Sequence, residues 1–325
     1  MTVLVTGGAG YIGSHMTYAL ADAGERVVVL DNLSTGVRAN VASDATFVQG
    51  DVGGGALVCR LIAEHDIDAV IHFAGSIVVP ESIENPLLYY TNNTQASLAL
   101  ITACVEQGVK HFIFSSTAAV YGLGDGAQVR EDTSTEPINP YGRSKLLTEW
   151  ILKDVAAAHD FRYVALRYFN VAGADPKGRT GQSTPRATHL IKRAAQVALG
   201  RVPHLDIFGT DYSTPDGTAI RDYIHVSDLV EIHRMVLEHL RSDGRSETFN
   251  CGYGRGSSVL EVVSAIERIT GERLPTILQP RRPGDPPALV ANSDKLRESF
   301  AWQPRHSFLD EIVHSALSWE RGLKD

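Results

Sequence analysis

The segment 2–31 constrains the fold more than any other stretch. Thr2-Val3-Leu4-Val5-Thr6 is a short apolar run of strand length. Gly7-Gly8-Ala9-Gly10-Tyr11-Ile12-Gly13 follows, then a helical run to Ala23 with Gly24 as its C-terminal stop. Val27-Val28-Val29-Leu30 reads as a second buried strand, and it ends at Asp31. Strand, glycine turn, helix, strand and acid form the order that a dinucleotide site needs. Gly7, Gly10 and Gly13 are small enough to let a pyrophosphate approach the backbone, and the helix start offers it N–H groups. Asp31 stands where an acid bonds the adenosine ribose hydroxyls and repels a 2′-phosphate, which favours NAD over NADP.

The alternation continues through the N-terminal half. Strands are expected at Thr46–Asp51, Ala69–Gly75, His111–Ser116 and Tyr163–Asn170. Between them fall helices at 53–65, a long one from Pro86 to Gln107 stopped by Gly108, and one from Pro140 onward. Continuous apolar strands alternating with helices mean a parallel sheet covered on both faces. The expected class is α/β, a Rossmann-type doubly wound parallel sheet. Ligands bind such sheets at the carboxyl ends of the strands, where Gly7, Asp31, Asp51, Gly75, Ser116 and Asn170 all fall.

After Asn170 the texture changes. Residues 173–188 are rich in Gly, Pro, Thr and Lys, and 279–287 is rich in Pro and Arg. Helices are expected near 189–199, 227–241, 258–269, 293–299 and 308–321, with short strands at Tyr223–Val226 and Thr248–Asn250. The expected division is 1–172, joined by parts of 220–245, as the dinucleotide domain, and 173–325 as a smaller mixed α/β substrate lobe over the cofactor crevice. A chain of 325 residues with 43% apolar residues is long enough and apolar enough for two such lobes. The net charge is −8, with no basic run beyond Arg281-Arg282, so no nucleic-acid partner is expected. Cys59, Cys104 and Cys251 are far apart and odd in number, which gives neither a disulfide framework nor a metal spacing. With no membrane-length apolar run and an N-terminus that opens on a strand rather than a signal segment, a soluble cytoplasmic protein is expected.

Asn139-Pro140-Tyr141-Gly142-Arg143-Ser144-Lys145 is the chemical stretch. On a helix, residues four apart sit one above the other, so the Tyr141 phenol and the Lys145 ammonium can point at one reactant. Pro140 suits a first turn, and Asn139 suits the cap before it. A phenol that titrates near ~10 is a poor base at neutrality, and a neighbouring cation favours its phenolate.

These motifs occur in one order with several others: Tyr89-Tyr90 before Asn92-Asn93, Arg167-Tyr168-Phe169-Asn170, Arg221-Asp222-Tyr223-Ile224-His225-Val226, and Arg281-Arg282-Pro283-Gly284-Asp285. The chain resembles, end to end, the extended short-chain dehydrogenase/reductases, and among them the nucleotide-sugar 4-epimerases. The resemblance implies an NAD-dependent isomerase that interconverts UDP-galactose and UDP-glucose through a 4-keto sugar. Tyr141 takes the proton of the 4-hydroxyl while hydride passes to the nicotinamide, and the hydride returns to the other face of the turned sugar. Lys145 lowers the Tyr141 pKa and bonds the nicotinamide ribose. The third catalytic position is Thr117, a Ser in many members, which bonds the reacting oxygen.

The resemblance assigns NAD contacts to Gly7, Gly10, Tyr11, Ile12, Gly13, Asp31, Asn32, Ser34, Thr35, Gly36, Asp51, Val52, Phe73, Ala74, Gly75, Asn92, Ser115, Tyr141, Lys145 and Phe169. It assigns nucleotide-sugar contacts to Thr117, Tyr141, Asn170, His189, Phe208, Arg221, Arg282, Asp285 and Leu289. Two arginines suit a diphosphate because each offers a planar fork of donors. Two departures stand out: Ile77 replaces a Lys that some members place near the pyrophosphate, and His189 replaces an Asn on the uracil side. His189 reads equally as a helix-start residue. Leu289 would line the pocket near carbon 2 of the sugar, where its volume lies between an aromatic and a Ser. A homodimer packed through helices near 85–107 and 141–159 is implied. Dehydratases of this kind carry Asp-Glu after Thr117, whereas Ala118-Ala119 stand here and cannot move protons. Redox-sensing relatives lose the Tyr/Lys pair, which this chain keeps. Epimerisation of another UDP-sugar (a glucuronate, a pentose or an N-acetylhexosamine) is the alternative that the sequence separates least.

Overall fold

The computed structural model describes residues 1–123, 128–184, 187–282 and 285–323. Among them run fourteen strands: β1 Thr2–Thr6, β2 Arg26–Asp31, β3 Thr46–Gln49, β4 Ala69–His72, β5 His111–Thr117, β6 Gln128–Val129, β7 Arg162–Tyr168, β8 Asn170–Ala172, β9 Leu205–Phe208, β10 Ile220–His225, β11 Glu247–Cys251, β12 Gly256–Ser258, β13 Thr276–Gln279 and β14 Ala288–Ala291. The main sheet has the order β11-β7-β5-β4-β1-β2-β3. β1 lies parallel to both β2 and β4, β2 to β3, and β4 to β5. The strand order reverses at β1, as the doubly wound Rossmann-type class requires, and ligand crevices open at the carboxyl ends beside such a reversal.

Period two sorts the strand residues between the faces. Leu4, Val28, Leu30, Val70, Phe112 and Phe114 pack with Val58, Leu61 and Ile62 of the Gly55–His65 helix and with Leu100, Ile101 and Cys104 of the Ala96–Glu106 helix. Leu100 is fully buried, and burying such a side chain contributes roughly 1.5–3 kcal/mol. Val3, Val5, Val27 and Val29 alternate with that set and are also buried. The Tyr11–Asp22 helix, buried through Met16 and Leu20, packs against β1 and β2.

The long helix expected over Pro86–Gln107 is not continuous. Pro86–Tyr89 is α-helical, Tyr90–Gln95 winds as a π-helix, and Ala96–Glu106 resumes the α-helix. A further helix, Val79–Glu84, precedes it. The sixth expected strand is also two. β7 ends at Tyr168, the Phe169 amide donates to the Cys251 carbonyl at 3.3 Å, and β8 leaves to pair with β10, Asn170 opposite Tyr223.

The chain divides into two compact units. The first comprises Met1–Val120, Pro137–Arg167 and Val230–Phe249; the second comprises Tyr121–Glu136, Tyr168–Leu229 and Asn250–Asp325. The second unit contains the sheet β12-β10-β14-β6 with β8 beside β10, and the parallel pair β13–β9. β10 runs antiparallel to β12 and parallel to β8 and β14. Its helices include Leu190–Ala198, Val259–Thr270 and Leu309–Gly322, the second closed by a capping box of Ser258 and Glu261. No helix among the described residues is long and apolar enough to cross a membrane.

Candidate active site

The glycine loop joins β1 to the Tyr11–Asp22 helix. Gly7 has φ +69°, a backbone setting that glycine adopts without strain. A Cβ on Gly13 would lie 2.2 Å from the Gly7 carbonyl oxygen, so the helix can start this close to the loop only without a side chain there. The N-cap residue Gly10 supplies no side-chain cap, and Tyr11 and Ile12 open the helix half-buried. Asp31, 7% exposed, ends β2 and accepts from the Ala9 amide at 2.9 Å and the Leu33 amide at 2.8 Å. One oxygen takes each bond, which leaves lone pairs on both. Ser34 and Thr35 are exposed, with Gly36 beside Ala9. Asn32 donates to Asp51 at 3.1 Å, and Asp51 also accepts from the Gly53 amide, so two of the expected cofactor residues already hold each other. Val52 is buried in the core, and the Phe73 ring, after β4, lies tilted against His233 with centroids 5.0 Å apart.

The helix Pro140–Ala158 is built as its sequence indicates: Pro140 is in the first turn, and the Asn139 side chain accepts from the Gly142 amide at 2.8 Å. A Cβ on Gly142 would sit 2.6 Å from the Ala119 carbonyl oxygen. That close approach brings the end of β5 to Tyr141. The Thr117 hydroxyl lies beside the Tyr141 phenol and accepts from the Ala119 amide at 3.1 Å. Burial raises the Tyr141 pKa, and the neighbouring Thr117 hydroxyl offsets only part of the rise. Lys145, 3% exposed, donates to the Ser115 carbonyl at 2.9 Å, and its ammonium lies 5.0 Å from the Phe114 ring centroid. Burial lowers its pKa to about 8, so it stays mostly protonated at neutral pH.

Asn93 is part of the Asn92-Asn93 motif, and the sequence assigns it no role; it is 1% exposed and ties three segments together. It accepts from the Ser76 amide at 2.7 Å and donates to the Ser76 carbonyl and the Ser144 hydroxyl, both at 3.0 Å. The expected Asn92 is exposed and donates to the Ser76 hydroxyl at 3.1 Å. Behind them His72 bonds Thr6 through Nδ1 at 2.7 Å and Ser97 through Nε2 at 2.8 Å, and Ser97 donates to the Asn93 carbonyl. Burial first, then Lys145, lowers the His72 pKa to about 3, so the ring is neutral. Ser97 spends its proton on Asn93, which makes His72 Nε2 the donor to Ser97. Gly75 and Ile77 are exposed.

The second unit gathers the other expected residues. Arg221 pairs with Asp285 and donates to the Ile220 carbonyl at 2.8 Å. The Arg282 guanidinium lies 3.8 Å from the Phe208 ring centroid. Leu289, half-buried, stands in register with Arg221 across β10 and β14. Asn170 is exposed at the start of β8, and Phe169 is buried beside it. Tyr212, likewise unmarked in the sequence, packs on Arg281, and its buried hydroxyl has no hydrogen-bond partner among the described residues. His189 precedes the Leu190–Ala198 helix without capping it; its ring meets the Gln182 amide at 3.3 Å, and burial lowers its pKa. Pro283 and Gly284 of the arginine-rich motif lie outside the described residues.

A doubly wound sheet with this loop and this Tyr/Lys helix is the frame of a nucleotide-dependent enzyme class, and residues 3–252 match the NAD dependent epimerase/dehydratase family. The chain belongs to that family. It is 60% identical over 322 residues to a UDP-glucose 4-epimerase of Azospirillum brasilense, covering 99% of this chain and 92% of that protein. The crystal structure of UDP-glucose 4-epimerase from Bifidobacterium longum in complex with NAD+ and UDP matches at TM-score 0.94 and 40% identity, covering 99% of this chain and 98% of that one. The UDP-Glc/GlcNAc 4-epimerase from Campylobacter jejuni matches at TM-score 0.86 and 44% identity, covering 99% of both chains.

Proposed function

We propose that this chain interconverts UDP-galactose and UDP-glucose as a UDP-glucose 4-epimerase with tightly bound NAD. The arrangement that carries the reading is the Tyr141 phenol beside the Thr117 hydroxyl, with the buried, protonated Lys145 one turn along the same helix. Tyr141 exchanges the proton of the sugar 4-hydroxyl, and Thr117 holds the reacting oxygen. The loop from Gly7 to Gly13 and the Asp31 carboxylate fit NAD: the loop backbone is bare of side chains at Gly7, Gly10 and Gly13, and Asp31 keeps free lone pairs. NAD, when bound, supplies the hydride acceptor and donor and, in its oxidised form, a positive charge. A positive charge favours phenolate, which the resting protein does not. Arg221, Arg282, Asp285, Phe208 and Asn170 are assigned to the UDP moiety, and His189 to its uracil side. Ala118 and Ala119, where an eliminating enzyme needs an acid and a base, favour epimerisation over dehydration.

The hydride leaves and returns to one sugar, so no NAD is consumed. The purified protein is expected to carry NAD and to convert UDP-galactose to UDP-glucose without additions, as read by mass spectrometry of released ligand and chromatography of the sugars. A stoichiometric need for added NAD, with a stable keto sugar or acid as product, would make it a dehydrogenase instead.

Leu289 is assigned to the sugar pocket near carbon 2. Pro286 and Pro287 restrain the preceding backbone, so an N-acetyl group would have to fit against a branched side chain. Overpacking of roughly 1–3 kcal/mol corresponds to about 5- to 150-fold in kcat/KM. UDP-galactose is expected to be preferred over UDP-N-acetylgalactosamine by such a factor, and Leu289→Ser to narrow it. Equal wild-type values, or no gain for the acetylated sugar in the variant, would remove Leu289 from that role.

The reading includes a cytoplasmic homodimer. Cys59, Cys104 and Cys251 are free thiols, which suits a reducing compartment. Leu87, Leu88, Leu98 and Trp150 are exposed on the helices assigned to the dimer. Light scattering that gives a monomer mass at micromolar concentration would rule the dimer out.

A further inference from the structure

The Tyr141 helix carries one more buried polar residue on the same face. Positions 141, 145 and 149 lie one turn apart. Glu149 and Arg167 are each 6% exposed. Arg167 Nε donates to Glu149 Oε1 at 3.0 Å, and Arg167 Nη2 donates to Oε2 at 2.7 Å. The Ser116 hydroxyl donates to the same Oε1. Three successive residues at the end of β5 therefore face one helix: Lys145 holds the Ser115 carbonyl, Glu149 holds the Ser116 hydroxyl, and the Thr117 hydroxyl lies beside the Tyr141 phenol. Arg167, on the neighbouring strand β7, anchors the middle of the three.

A buried ion pair is a weak stabiliser, because the cost of desolvating both charges offsets their attraction. Its two-pronged geometry does select one arrangement of the groups it joins. We infer that Glu149, held by Arg167 and Ser116, is a positioning residue that sets the register of the Tyr141/Lys145 helix against the end of β5. It acts through Ser116 on Thr117 and along the helix on Lys145. The inference deepens the proposed function and rests on it for the identity of the reaction.

The charged and titratable groups around this line are few. Lys145 lowers the His72 pKa, and Tyr89 meets Tyr141 edge-on. Around Glu149 stand Arg167 and Tyr163, and Tyr163 also senses Glu247 and Asp154. Removing the Glu149 carboxylate raises the net positive charge of this buried line by one. An added positive charge disfavours the ammonium of Lys145 and favours the phenolate of Tyr141, so both titrations move to lower pH.

For Glu149→Gln the expected result is a fall in kcat of roughly 10- to 100-fold, since small misplacements of reacting groups are that costly, with KM nearly unchanged. The acid limb of the kcat–pH profile should move to lower pH. The Tyr141 phenolate absorbance, titrated in the purified protein with Tyr141→Phe as blank, should move with it. Ser116→Ala keeps the ion pair and loses one hydrogen bond, so kcat should fall by about 3- to 10-fold with no pH shift. Glu149→Gln combined with Arg167→Met removes both charges, and should return the pH limb to the wild-type position while kcat stays low. Wild-type kcat and pH profile in both Glu149→Gln and Ser116→Ala, with only a lower melting temperature, would overturn the inference. If Glu149→Gln does not fold, unchanged kcat in Ser116→Ala overturns it alone. A wild-type protein inactive on UDP-galactose would instead sink the proposed function, and the phenolate titration would still read the positioning effect.

Discussion

Tyr141→Phe is expected to abolish nearly all turnover while the protein stays folded and keeps its NAD. The phenylalanine ring retains the packing of Tyr141, whose centroid lies 6.4 Å from Tyr89 in an edge-on contact. The Thr117 hydroxyl keeps its bond from the Ala119 amide, so no buried polar group is orphaned. What disappears is the one group assigned to exchange the 4-hydroxyl proton. General acid–base groups contribute on the order of 100- to 10,000-fold, about 2.7–5.4 kcal/mol of barrier. The measurement is kcat for UDP-galactose, with bound NAD and the melting temperature as controls. Turnover within a few-fold of wild type would remove Tyr141 from the chemistry.

Gly13→Ala is expected to strip the protein of NAD. The added Cβ would lie 2.2 Å from the Gly7 carbonyl oxygen and 2.8 Å from the Gly8 Cα. Both are backbone atoms and cannot rotate away, so the helix start must move off the loop. Overpacking a tight site costs up to about 3 kcal/mol when neighbours can give, and rigid backbone places this case at or above that end. Affinity for NAD should then fall by at least about 150-fold. Gly55→Ala is the control: Gly55 lies at a helix start where an added Cβ would meet nothing within 4 Å, so the change should be neutral or slightly stabilising. NAD content is read by denaturing each purified protein and quantifying the released nucleotide. Gly13→Ala with a full complement of NAD would show that this close approach does not shape the cofactor site.

Much of the fold was legible because its signals are local. β1, the glycine turn, the first helix and β2 follow one another within about thirty residues, and strand and helix periods name them directly. The Tyr141/Lys145 pair was legible for the same reason, since helix geometry alone puts residues four apart on one face. The π-turn at Tyr90–Gln95 was not. One extra residue in a turn rotates everything after it by about 100°, so no helical period identifies Asn93, rather than Asn92, as the buried member. Two- to four-residue strands such as β6, β9 and β14 are too short to show a period, and β14 directly follows a Pro-rich stretch that reads as loop.

What the amino-acid sequence determined by itself is therefore the class of fold, the glycine loop with its acid, and the Tyr141/Lys145 spacing. Each depends on interactions within a few residues along the chain. Only the tertiary structure decided that Arg167 closes on Glu149, that Leu289 stands beside Arg221, and that Arg221 pairs with Asp285. Those partners are 18 to 68 residues apart, and pairing at that range is selected by the packing of whole sheets and helices rather than by any pattern along the chain.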